Sequence, residues 1–165
     1  DEKRYYKAFL DKYKDIAKWH EELQSNAIQY KKVVIPSGRE YAFPYAQRMA
    51  WGGSSYSTQI KNYPVQGFAT ADVVPIACIN AYNLMRDNKV NSLLINTVHD
   101  SIVADIYPGE EETMADILDL ATLNVIDSLK SYYNIDFNVP LDTETKIGYD
   151  WLNMNVIVKQ KGVAL

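Results

Sequence analysis

The stretch S-L-L-I-N-T-V-H-D-S-I-V-A-D-I-Y-P-G, Ser92 to Gly109, reads as two β-strands with His99 and Asp100 at or near their connection. Both flanks are rich in Ile, Leu, Val and Thr, the residues that suit a pleated surface, and Pro108-Gly109 closes the second. Asp and His tolerate unusual turn dihedrals better than branched residues do. Both strands look buried from their composition, and a carboxylate there costs free energy unless it is paired, solvated or metal-bound. The plainer reading is that Asp100 satisfies a tight turn, as Asp often does. A hard cation such as Mg²⁺ takes one or two carboxylates plus substrate phosphates, so Asp100 alone is half a site.

Working outward, Glu110-Glu111-Glu112 open a helix whose positive N-terminal end favours acids. Its apolar stripe is Met114, Ile117, Leu118, Ala121, Val125 and Leu129, ending near Asn134. An alternating strand, Phe137–Leu141, follows. On the other side, Pro64 to about Asn88 is helical, with Val65, Ala69, Val73, Ile76, Ala77, Asn80 and Leu84 on one face. Pro75 is expected to kink or interrupt this helix near its middle, and Asn88 to be its left-handed C-cap. Residues 46–61, with Gly52-Gly53 and three serines, read as a flexible loop. Val33–Ile35 and Glu40–Phe43 flank Pro36-Ser37-Gly38 as a hairpin. From Glu2 to about Ala27 apolar residues recur in steps of three and four, an amphipathic helix with His20 on its stripe as a packed core histidine. The order helix, hairpin, helix, hairpin, helix, strand gives an α+β fold with an antiparallel sheet.

The 165 residues suit one domain or a piece of a larger one. A 47% hydrophobic fraction with 13 tyrosines and 3 tryptophans excludes a disordered chain. The net charge of −4 is unevenly spread. Residues 1–61 hold 11 Lys and Arg against 7 Asp and Glu, and residues 62–165 hold 6 against 14. A mildly basic part beside an acidic one suits a phosphate-facing element next to a metal-collecting one, and equally suits ordinary solvated helices. Cys78, the single cysteine, reads as a buried inert thiol. No apolar run reaches the roughly 18 residues of a membrane span. The chain starts without methionine on a helical pattern, which reads as a piece of a longer protein.

The segment N-Y-P-V-Q-G-F-A-T-A-D, Asn62 to Asp72, followed by Val98-His99-Asp100, resembles the family A DNA polymerases, which include bacterial DNA polymerase I and phage replicative enzymes. Ser37-Gly38-Arg39 is similar to the family's G-R hairpin, and Pro140-Leu141 and Gly148–Trp151 to its ending. The matches keep the family's order across residues 30–152. The resemblance implies a partial fingers segment at 1–61 and the C-terminal part of an antiparallel palm, with long flanking helices, at 62–165. It implies that Asp100 is a ligand of two catalytic Mg²⁺ ions. There a primer 3′-hydroxyl attacks the α-phosphorus of a deoxynucleoside triphosphate and releases pyrophosphate. It places His99 near the primer terminus and Asn62 and Gln66 against the minor groove of primer–template DNA. Arg39, Lys31 and Lys32 are its candidate phosphate contacts. It further implies a cytoplasmic setting in a bacterium or phage-infected cell, with no membrane partner.

Ser101 stands where many members have Glu, and Thr58 where many have Arg. The spacing from Gln66 to Asp72 is one residue longer than in the bacterial enzyme, a phage-like trait. The family's first metal-binding aspartate, in a D-x-S-x-x-E segment, and its nucleotide-holding helix occur nowhere in the sequence. The chain alone is therefore expected not to polymerise DNA. H-D-S is also similar to single-subunit phage RNA polymerases, and a palm kept as a non-catalytic nucleic-acid scaffold is the other alternative.

Overall fold

The computed structural model describes residues 2–50 and 52–157. They divide into two compact units, one up to Ala69 and one from Thr70 onward. The fold is α+β: helices with short antiparallel pairs.

The first unit opens with α1 (Glu2–Lys12) and α2 (Lys14–Tyr30). The single helix expected from the periodicity is broken at Tyr13, which leaves helical geometry at φ −111°, ψ 68°. Its ring lies 4.8 Å from that of Phe9, and the stripe runs on through the break. Lys31, left-handed at φ 58°, ends α2 and turns the chain into β1 (Lys32–Val34), paired antiparallel with β2 (Glu40–Ala42). The turn between them uses Gly38 at φ 84°, whose amide donates to the Ile35 carbonyl. Leu23, Ala27, Val33, Phe43, Ala46 and Ile60 form the core of this unit.

The 46–61 segment is not a free loop. Residues 57–61 already belong to α3 (Ser57–Phe68), which begins well before Pro64. The rest is tied to α2, because the Gln24 Oε1 accepts from both the amide and the hydroxyl of Ser54 at 3.1 Å. Pro64 sits inside α3, so the helix forgoes one internal hydrogen bond there. A β-carbon at Gly67 would meet the Tyr41 hydroxyl, so that side chain would have to shift.

Ala69–Val73 form one turn of π-helix, with Asp72 buried in it. α4 (Val74–Asn88) follows, and Pro75 falls in its first turn, where a missing N–H costs little. The interruption expected at Pro75 is therefore a π-turn just ahead of it. At the far end Lys89, not Asn88, takes the left-handed position (φ 56°). Its amide donates to the Arg86 carbonyl and that of Val90 to the Met85 carbonyl, the two hydrogen bonds of a Schellman motif. Asn88 stays helical and donates its side-chain amide to the Leu84 carbonyl.

β3 (Leu93–Val98) and β4 (Ser101–Asp105) pair antiparallel, then α5 (Glu111–Leu123) and α6 (Val125–Tyr133) follow. The expected single helix is divided at Asn124. Ala81, Met85, Met114, Ile117 and Ala121 form the second core, with Leu94, Ala104 and Ile106 from the hairpin packed on it. Phe137–Leu141 is not a strand, and Pro140 within it offers no backbone donor. Instead β5 (Lys146–Ile147) pairs with β6 (Asn155–Val156). Gly148, in the turn between them, lies so near the Asn153 carbonyl that a β-carbon would collide with it. The expected sheet is thus three separate two-stranded hairpins among the described residues. Cys78 is half-buried rather than buried, and desolvation pushes its thiol pKa up. No described helix is long and apolar enough to cross a membrane.

Candidate functional site

The β3–β4 hairpin closes with the shortest regular connection, the two residues His99 and Asp100 between the paired Val98 and Ser101. His99 takes φ 55°, a left-handed conformation that costs a residue with a β-carbon about 1–2 kcal/mol. The turn is held by Ser101, whose hydroxyl donates to the Val98 carbonyl at 2.8 Å. Further down, the register shifts between Leu94 and Asn96, leaving Ile95 as an extra residue. Such a bulge raises the local twist and re-aims the strand end. The Asn96 side chain braces it by accepting from the Thr97 amide at 2.8 Å.

The base of the hairpin is fixed by Glu110. Its carboxylate accepts from the amides of Asn91 and Ser92 and from the Ser92 hydroxyl at 2.6 Å. Ser92 in turn accepts from the Tyr107 amide through its hydroxyl oxygen. Ser92 is buried, so this group of bonds ties the start of β3 to the end of β4 and the head of α5. The acidic run therefore does more than face a helix end. Hydrogen bonds from Ser92, then Asn91, hold the Glu110 pKa below the ordinary carboxylate value. A carboxyl with a depressed folded-state pKa stabilises the fold above its unfolded pKa, and that contribution disappears as pH falls through the folded value. The amide signals of Asn91 and Ser92 are expected to titrate together below about pH 4.3, the ordinary Glu value. In Glu110→Gln that titration should vanish, which pH-dependent NMR would show.

The burial expected of the two strands does not hold. His99 and Asp100 are both exposed. The hairpin has only two strands and packs one face, through Leu94, Ala104 and Ile106, onto the second core. Leu93 (61% exposed) and Ile95 (59%) stay in contact with solvent. The Asp100 carboxylate makes no hydrogen bond or ion pair with any described residue. A solvated carboxylate at a fixed apex fits one hard-oxygen ligand of a divalent cation. Among the described residues no three His, Cys, Asp or Glu side chains converge to hold a metal.

The remaining candidates lie in the first unit, whereas His99 and Asp100 lie in the second. Asn62 and Gln66 are exposed on α3, one turn apart and so on one face. Arg39 is exposed beside the hairpin turn. The Lys31 ammonium is engaged, donating to the Ala46 carbonyl at 2.6 Å, and that of Lys32 pairs with Glu40 at 2.6 Å. Ser101, Ser92 and Glu110 were not singled out by sequence as positioning groups. Only the serine following the His-Asp pair offered a signal.

The sequence profile of DNA polymerase family A matches residues 1–153. DNA polymerase I of Chloroflexus aurantiacus is 31% identical over 94 residues, 57% of this chain and 9% of that protein. DNA polymerase I of Lactococcus lactis subsp. cremoris is 29% identical over 153 residues, 92% of this chain and 16% of that protein. Among solved structures, the POL domain of Pol1 from M. smegmatis, in complex with DNA primer-template and dNTP, superimposes with a TM-score of 0.62 at 19% identity. That match covers 71% of this chain and 21% of the other. The chain therefore spans a small part of these relatives' length. With a profile match running through both units and over the His99–Asp100 turn, the chain belongs to DNA polymerase family A.

Proposed function

We propose that the chain is the C-terminal part of a template-directed DNA polymerase, with residues 1–61 in the fingers, 62–165 in the palm, and Asp100 supplying one carboxylate of a two-Mg²⁺ centre. The observation that supports this most is the exposed Asp100, without a partner among the described residues, held at a braced hairpin apex in a chain of this family. The bound ions would neutralise charge on the attacking and leaving oxygens of a phosphoryl transfer. The chain's own residues position the partners. His99 lies beside the primer terminus, fixed by the same turn. The Asn62 and Gln66 amides meet minor-groove acceptors, which are shared among base pairs and so let shape be sensed without sequence. Arg39 contacts backbone phosphate, and Lys31 and Lys32 join it only by giving up the bonds described above. Deoxynucleoside triphosphate is the second substrate.

The reading predicts that the purified 165-residue chain gives no template-directed extension, because one carboxylate cannot assemble the centre. Mg²⁺-dependent incorporation of deoxynucleotides by the chain alone, in a primer-extension gel, would sink the shared-site reading.

A further inference from the structure

The first unit contains a cavity of about 230 Å³ that none of the roles proposed above uses. Its polar wall comprises His20, Glu21 and Ser25 from α2, Tyr6 from α1, Arg48 from the loop before α3, and Lys61 from α3. Two cations thus face it with one carboxylate, and neither Arg48 nor Lys61 forms an ion pair with any described residue. The wall is preorganised. Gln24, also lining the cavity, donates to the His20 carbonyl and accepts twice from Ser54, which fixes the loop against α2. His20 Nδ1 is buried without a hydrogen-bond partner. Burial and the charge of Lys61 both lower the His20 pKa, so near neutral pH the imidazole is uncharged and can donate from one nitrogen. Ser25 and Tyr6 add hydroxyl donors.

Pockets for whole drug-sized ligands run to about 300–1,000 Å³, so this one suits a phosphate or diphosphate group rather than a whole nucleotide. We propose that the cavity binds a phosphate oxyanion, held by Arg48 and Lys61 and by hydrogen bonds from the Ser25, Tyr6 and His20 side chains. The proposal does not depend on the role of Asp100. The same oxyanion chemistry could come from free pyrophosphate or from a phosphodiester of bound nucleic acid.

The chain has only two histidines, so imidazole NMR signals report the cavity through His20 and the hairpin through His99. Pyrophosphate, with sodium chloride at matched ionic strength as the control, is added in one arm, and a short DNA duplex in the other. Saturable shifts of His20 with pyrophosphate, absent with chloride, identify a free-anion site. Saturation only with DNA identifies a phosphodiester site. In either case Arg48→Gln and Lys61→Gln should each weaken the His20 response at least tenfold, while Arg48→Lys largely keeps it and the backbone amide spectrum stays intact. No saturable His20 shift in either arm, a response matched by chloride, or one unchanged in both Gln variants overturns the proposal and leaves the cavity holding water.

Discussion

Asp100→Asn, placed in the proposed full-length polymerase, should slow primer extension at least about a thousandfold while leaving primer–template affinity within about threefold. The amide keeps the size of the carboxylate but lacks its charge, and hard divalent cations select anionic oxygen. Losing a single stabilising donor at a reacting centre typically costs 10²–10³ in rate, and a ligand shared between two ions should cost no less. Single-turnover extension measures the first quantity and fluorescence anisotropy the second. Because Asp100 is exposed and bonds to nothing described, the substitution should not disturb the hairpin. Unchanged amide shifts at Val98 and Ser101 would show that the lost rate is chemical. Extension within tenfold of the parent would remove Asp100 from the reacting centre.

Met114→Ala should loosen the second unit by about 2–5 kcal/mol, the usual cost of emptying a buried Met site. Met114 is fully buried (0% exposed) on α5. It packs with Ala81 and Met85 of α4 and with Ile117 and Ala121 of its own helix. Two alanines among these neighbours leave little side chain to refill the space, whereas Met85 is flexible enough to close part of it. A value near 3 kcal/mol follows, roughly two powers of ten in local opening. Native-state amide exchange in α4 and α5 reads that opening directly. A change below about 1 kcal/mol would mean that this core does not rest on Met114.

The β3–β4 hairpin was legible because its chemistry is local: branched residues on both sides, turn-tolerant His99 and Asp100 between, and Pro108-Gly109 beyond. The burial of its strands was not. Composition shows that a strand could be covered, but not whether anything covers it, and Leu93 and Ile95 are bare on one side. The same gap explains Phe137–Leu141, which alternates well yet forms no strand. Helix ends were misplaced where the usual punctuation misled. Pro64 lies inside α3, whereas Tyr13 and Asn124 break helices without glycine or proline. The candidate residues His99 and Asp100 were visible as types. Their braces were not, because Glu110 bonds to Asn91 and Ser92 across 18 to 19 residues and no local pattern records such a bond. Lys31 was a candidate phosphate contact, and the bond its ammonium gives to a carbonyl 15 residues away had no local signal either.

Lys31, Tyr56, Lys89, His99 and Asn134 all hold left-handed backbone with a β-carbon in place. Of these, Lys89 and Asn134 only end helices. Glycine at Lys89 would relieve the steric penalty of the left-handed region and give back part of it as unfolded-chain entropy, a net gain of at most about 1 kcal/mol. Helix ends of this kind give a lineage mutational robustness. A sequence drifting under selection for its hairpin apex could absorb a damaging change elsewhere through such an exchange at Lys89 or Asn134, without altering any side chain proposed to meet DNA.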